Sequence, residues 1–189
     1  MAEKDFDELV ATLKKAAAAL QEAGVPFMLG GGLACWARGG PETDHDLDLM
    51  LRPEDADAAL SVLADAGMRP EKPPERWLYK AWDGDILVDL IFEPAGGAIG
   101  DEQFERAGDL EVRSMRMLVM ALEDVLAAKL HALDDHHLDY EGLLEIARPL
   151  REQIDWKDVK SRTSDSPYAA AFFTLVEELG VVEPPLTGG

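Results

Sequence analysis

The sequence predicts an α+β fold in which a mixed β-sheet is flanked by helices and followed by a small C-terminal helical bundle. Three observations carry this. Apolar runs of strand length lie between turn signals up to about residue 92, apolar residues recur at helical spacing near the N-terminus, and from Met120 onward the pattern is wholly helical.

In chain order, Phe6, Leu9, Val10, Leu13, Ala17 and Leu20 fall on one face of a helix that Gly24 and Pro26 stop. Phe27-Met28-Leu29 is a short strand, and Leu33 to Arg38 a helix entered through glycine. Asp46 to Leu51 alternates as a strand, and a helix from Glu54 to Ala66 ends at Gly67. Arg76 to Trp82 and Asp85 to Phe92 form two strands joined at Asp83-Gly84, since Asp-Gly between apolar runs is a strong hairpin signal. Glycines at 96, 97 and 100 mark a loop, and helices are expected near 121–134, 138–148, 155–161 and 165–179, punctuated by Pro149 and Gly180.

Two features carry chemistry. The pair Gly31-Gly32 sits between a strand and a helix, where glycines let the backbone approach a phosphate and the first helical amides point at it. Thirteen residues on comes His45, and after it Asp46 and Asp48 interrupt an apolar run. Side chains two apart on a strand share a face, so the carboxylates stand side by side while Leu47, Leu49 and Leu51 fill the other. Like charges so placed call for a cation between them, and Mg²⁺, which takes carboxylates together with substrate phosphates, suits the pair. Asp44 is in register with both, so Asp44 and Asp46 form an alternative pair; the leucines around Asp46 and Asp48 favour the latter.

Asp89 is the one charge in Ile86 to Phe92. A lone carboxylate in a buried strand costs several kcal/mol unless it is paired, hydrogen-bonded or metal-bound. It is therefore either a third metal ligand or the partner of Lys80 or Arg76, diagonally across the hairpin.

These residues resemble the nucleotidyltransferase superfamily of the DNA polymerase β type, within it the bacterial group of antibiotic nucleotidyltransferases and abortive-infection type toxins. The resemblance rests on Leu29-Gly30-Gly31-Gly32-Leu33-Ala34, on Asp46-Leu47-Asp48 preceded by His45, on Val88-Asp89-Leu90, and on Arg38 after the glycine turn. It continues in Leu122 to Leu130, which resembles the family's helix carrying a phosphate-binding lysine, here Lys129, and in Leu138-Asp139-Tyr140. Two departures stand out: Gly32 replaces a common serine, and Leu138 replaces a basic residue.

The resemblance implies a nucleotidyltransferase-type sheet and transfer of a nucleoside monophosphate from a nucleoside triphosphate to an acceptor hydroxyl, with release of pyrophosphate and two Mg²⁺ ions in the active complex. Asp46, Asp48 and Asp89 would hold the metals, with Asp89 also placed to accept the hydroxyl proton. Gly31, Gly32, Arg38 and Lys129 would bind the nucleotide. A catalytic domain with its N-terminal helix is expected over 1–118, a helical region over 119–181 and a loose tail over 182–189.

The rest of the sequence bounds the partners. In 189 residues, 38 acidic side chains face 18 basic ones for a net charge of −20, a surface that draws cations and repels polyanions. A tRNA substrate normally demands a basic stripe, and Arg148, Arg151, Lys157, Lys160 and Arg162 are diluted by acids. A small, cationic, aminoglycoside-like acceptor is favoured. The alternatives are a toxin-antitoxin or abortive-infection type enzyme that nucleotidylates tRNA or a protein, and a non-catalytic nucleotide-binding relative. No membrane partner is expected. With no signal-like start and a single cysteine, Cys35, expected as a buried inert thiol, the chain reads as cytoplasmic. His131, His136 and His137 lack the spacing of a zinc site and read as a polar helix end.

Overall fold

The computed structural model describes residues 2–43 and 47–182, with side chains from Phe6 onward. Asp44, His45 and Asp46 lie outside the described residues, so one of the three expected metal-binding carboxylates has no structural account; the expected tail also lies outside them apart from Val182.

The described strands are β1 (Met28–Leu29), β2 (Leu47–Met50), β3 (Arg69–Glu71), β4 (Leu78–Asp83), β5 (Ile86–Ile91), β6 (Gly108–Val112) and β7 (Met115–Val119). They form one mixed sheet in the order β3-β4-β5-β2-β1-β7-β6. β2 runs parallel to β5 and β1 parallel to β7, while the other neighbours are antiparallel. The helices are α1 (Ala2–Glu22), α2 (Gly31–Trp36), α3 (Ala56–Asp65), α4 (Asp101–Arg106), α5 (Leu122–His131), α6 (Tyr140–Leu150), α7 (Trp156–Arg162) and α8 (Pro167–Glu178).

Local chemistry sets the helix ends. α1 stops where Gly24 takes φ +69° and Val25 N–H reaches back to the Leu20 carbonyl at 2.9 Å; Gly67 at φ +87° ends the α3 segment in the same way, with Met68 N–H on the Leu63 carbonyl at 3.0 Å. Asp139, Asp155 and Ser166 cap α6, α7 and α8 through their side chains.

Period-two alternation divides the sheet into two faces. Leu47, Leu49, Val88, Leu90 and Ala81 are buried on the face covered by α1 and α3. Asp83 alternates onto that face and is held there by Thr12 Oγ1 at 3.1 Å and Lys15 Nζ at 2.5 Å, both from α1. On the other side α5 packs against α2, α7 and α8. α1 alone buries Leu9, Leu13 and Leu20, each contributing about 1.5–3 kcal/mol of apolar transfer.

Two features differ from expectation. The β4–β5 turn is Gly84-Asp85, with Gly84 at φ +63°, rather than Asp83-Gly84. Asp83 instead pairs with Ile86, and the one-residue shift brings Lys80 directly opposite Asp89 instead of diagonal to it. The edge strand β3, the helix α4 and the β6–β7 hairpin were not foreseen. That hairpin turns at Arg113 and Ser114, both at positive φ (48° and 68°), residues that do not announce a turn as Asn-Gly does. Arg113 sits over the Trp36 ring, 5.6 Å from its centroid.

Candidate active site

Asp48 and Asp89 are register partners on the parallel strands β2 and β5, so their side chains leave the same face about one strand spacing, roughly 4.8 Å, apart. The row extends across the sheet: Lys80 stands opposite Asp89 on β4, and Gly30 N–H bonds the Asp48 carbonyl at 2.9 Å on the other side. Both carboxylates are half-buried.

The glycine turn fits against this row. Gly31 begins α2 at φ +54°, a conformation that side chains disfavour, and a Cβ there would drive into the Asp48 carboxylate. Gly32 is less constrained: a Cβ would come within 3.1 Å of the Thr43 side chain. A serine at this position would therefore press on Thr43, which gives the departure from the common pattern a local cause.

Above Asp48 opens a cleft of about 810 Å³. Its floor is the site face of the sheet, where alternation puts Met50 beyond Asp48 and Ile91 and Glu93 beyond Asp89. Its wall is one face of α5: Val125, Ala128, Lys129 and Ala132 recur at helical spacing, and the two alanines leave the space open. Pro94, Ala95 and Gly97 close one end, and Arg76 and Trp77 form the rim. The described lining thus holds two cations, Arg76 and Lys129, against two carboxylates, Asp48 and Glu93.

Gly31, Asp48 and Lys129 line this one cleft, and Lys129 also borders a smaller pocket of about 170 Å³ beside Gly32. Arg38, expected at the nucleotide, is not among the residues that line the cleft. Its Nη2 donates to the Val119 carbonyl at 3.1 Å and lies against Gly108, so the guanidinium ties the end of α2 to the β6–β7 hairpin. Burial pushes its pKa down. Cys35 is fully buried, and desolvation raises its thiol to about 11 against the opposing pull of Lys129 and Arg38, so it is a neutral, inert thiol.

The histidines have local partners. His131 Nε2 is 3.2 Å from the Arg162 carbonyl, and the His136 and His137 amides donate to Asp134 Oδ1 at 2.7 and 3.0 Å. The His136 amide, then the His137 ring, holds the Asp134 carboxyl below its ordinary range. Asp139 accepts from Gly142 N–H at 2.9 Å as the α6 cap.

A group the sequence reading passed over lies behind the cleft. Asp124, with 1% of its side chain exposed, receives Arg106 through Nε (3.1 Å) and Nη2 (2.8 Å) and Arg162 through Nη2 (2.6 Å). The network fastens α4 and α7 to α5, the helix that carries Lys129. Its sequence signal is weaker than that of Asp89, because Glu123 and Lys129 also carry charge within Leu122 to Leu130.

The donor chemistry at the sheet suits a hard divalent ion. Asp48 and Asp89 offer only carboxylate oxygens from one face, and two carboxylates are what Mg²⁺ uses when phosphates and water complete its shell. Among the described residues no three His, Cys, Asp or Glu side chains converge as a ready-made cage.

A family model for uncharacterised nucleotidyltransferases matches residues 1–177. Among solved structures, the chain resembles the antibiotic-resistance factor ANT(2'')-Ia in complex with adenylyl-2''-tobramycin, at 17% identity and a TM-score of 0.64 over 88% of this chain and 97% of that one. A solution structure of the same factor matches at 16% identity and a TM-score of 0.66, over 92% of this chain and 98% of that one. A candidate nucleotidyltransferase from Thermotoga maritima matches at 19% identity and a TM-score of 0.53, over 78% and 92%. At these identities the structural likenesses show the fold. No curated protein sequence matches.

Proposed function

We propose that this chain, which belongs to the uncharacterised nucleotidyltransferase family, transfers a nucleoside monophosphate from a nucleoside triphosphate to a hydroxyl of a small molecule, with Mg²⁺ as cofactor. The observation that carries the reading is the in-register pair Asp48 and Asp89, with Asp48 lining a cleft that Lys129 and Gly31 also line.

In this reading residues 1–118 supply the carboxylates and the glycine turn, and 119–181 supply the lysine that closes over the phosphates. Asp46, Asp48 and Asp89 hold the metal, which when bound neutralises phosphate charge and favours the ionised hydroxyl. Asp89 takes the hydroxyl proton. The acceptor oxygen bonds to the α-phosphorus as the bond to the bridging oxygen of the β-phosphate breaks, and pyrophosphate leaves. The amides of Gly31 and Gly32 and the Lys129 ammonium hold the β- and γ-phosphates. Arg38 ties the end of α2, the helix that this turn opens, to the β6–β7 hairpin. The ANT(2'')-Ia complex, in which a nucleotidylated small molecule occupies the same fold, supports a small acceptor. No helix of the described residues is long and apolar enough to cross a membrane.

The experiment incubates purified protein with Mg²⁺ and each labelled triphosphate, alone and with tobramycin, tRNA or a small-molecule extract. Metal-dependent pyrophosphate release that needs a small acceptor is expected. Labelling of tRNA alone, or no labelled product under any condition, would overturn the reading.

A further inference from the structure

We infer that the acceptor is a molecule with a flat apolar face that seats on Trp77, rather than a polycation; the inference rests on the nucleotidyl-transfer reading above. Attacking and leaving oxygens stand on opposite sides of the phosphorus in an in-line displacement. The leaving side is fixed by the glycine turn at the end of β1 and by Lys129. Across the sheet the order is β1, β2, β5, β4, so beyond Asp48 comes Asp89, and beyond Asp89 comes β4. The attacking hydroxyl therefore arrives over β5 and β4.

On that side the chain entering β4 carries Arg76 and Trp77. The Trp77 carbonyl accepts from the amides of Phe92 and Glu93, both at 3.1 Å, so its backbone is pinned to the end of β5. Trp77 nonetheless remains 42% exposed at the cleft rim. Other tryptophans are engaged: Trp82 Nε1 bonds Glu71, Trp156 Nε1 bonds the Arg151 carbonyl, and Trp36 packs edge-on against Phe6. A fixed backbone holding an exposed indole is a platform, since an aromatic face gains most by stacking a flat partner. Trp77 sits beside residues three and four positions past Asp89, roughly 10 Å along the strand, within the span of a drug-sized acceptor.

Charge in the cleft points the same way. With Asp48 committed to metal and Lys129 to phosphate, the described cleft lining keeps one cation, Arg76, and one carboxylate, Glu93, among apolar Met50 and Ile91, and Lys80 adds a second cation on β4 opposite Asp89. A polycation would meet a competing guanidinium there. The acidic pocket, with Glu42, Asp139 and Glu145, lies instead beside Gly32 on the leaving side, and Asp139 is already spent as the α6 cap.

The test holds the full chain with Mg²⁺ and a non-hydrolysable ATP analogue and titrates it calorimetrically with two probes. 4-Nitrophenyl β-D-glucoside is neutral, hydroxylated and aryl-faced, and tobramycin is a polycation. The glucoside is expected to bind more tightly than tobramycin; its Kd should rise about tenfold in Trp77→Ala and recover in Trp77→Phe, with analogue affinity unchanged. Tighter tobramycin binding, no glucoside binding, or a glucoside Kd indifferent to Trp77→Ala would overturn the inference. Failure of the wild-type chain to bind the analogue would overturn the nucleotidyl-transfer reading itself, a separate outcome.

Discussion

Gly31 lies directly over the carboxylate of Asp48, with no room for a Cβ between them. The glycine turn and the carboxylate strand are thereby fitted to one another, and the sheet register that aligns Asp48 with Asp89 fixes the third member.

Gly31→Ala should accordingly do more than remove backbone freedom. Positive φ costs alanine about 1 kcal/mol or more, and the Cβ must also displace the Asp48 side chain. Urea unfolding is expected to show a loss of roughly 1–3 kcal/mol, with pyrophosphate release abolished. Gly32→Ala, which meets the Thr43 side chain at 3.1 Å and needs only a small shift of it, should lose less than Gly31→Ala.

Asp48→Asn and Asp89→Asn preserve shape and remove charge. Turnover should fall by about two to four orders of magnitude, the range for losing a general base or comparable group. In metal-free buffer Asp48→Asn should melt at or above the wild-type temperature, because one of two adjacent like charges is gone. A large drop in that melt would mark Asp48 as a structural group.

Asp124→Ala leaves Arg106 and Arg162 facing an empty acceptor. Breaking a buried pair costs about 3–5 kcal/mol, and the partial exposure of both arginines puts the expected loss near the lower end. Denaturant unfolding measures it. Asp124→Asn, which keeps an acceptor oxygen, should lose less.

The Cys35 thiol gives stability an alkaline slope. Its folded pKa is raised from the ordinary 9.0 to about 11, so between these values the unfolded chain has released a proton that the folded chain retains. The unfolded state then binds fewer protons, and stability falls as pH rises, by up to about 1.4 kcal/mol per unit. Urea melts from pH 8 to 11 should show the decline, and Cys35→Ala should flatten it.

The joint charge reversal Arg148→Glu, Arg151→Glu and Lys157→Glu alters three exposed positions remote from the cleft lining. Transfer to a small acceptor should be retained. Loss of transfer, with the fold intact by circular dichroism, would favour a tRNA substrate docked on that surface.

Much of the fold was legible because its signals are local. Leu9, Leu13 and Leu20 mark α1 by spacing alone, and Gly24 and Gly67 stop helices by a backbone conformation that glycine adopts freely. The β6–β7 hairpin was not legible: Arg113 and Ser114 carry no turn signature, and β7 has its place beside β1 only because distant segments pair. Arg38 shows the same limit, since its bond to the Val119 carbonyl spans 81 positions of sequence.

The sequence by itself determined the α+β class, the glycine turn, and the presence of carboxylates inside apolar runs, because periodicity and the cost of burying a charge are properties of a few neighbouring residues. Tertiary structure alone decided which carboxylates meet. A hairpin turn one residue later than expected set Lys80 opposite Asp89, parallel pairing set Asp89 beside Asp48, and the small residues of α5 left an apolar cleft in a molecule of net charge −20. Register and packing arise between segments far apart in the chain, and no local pattern encodes them.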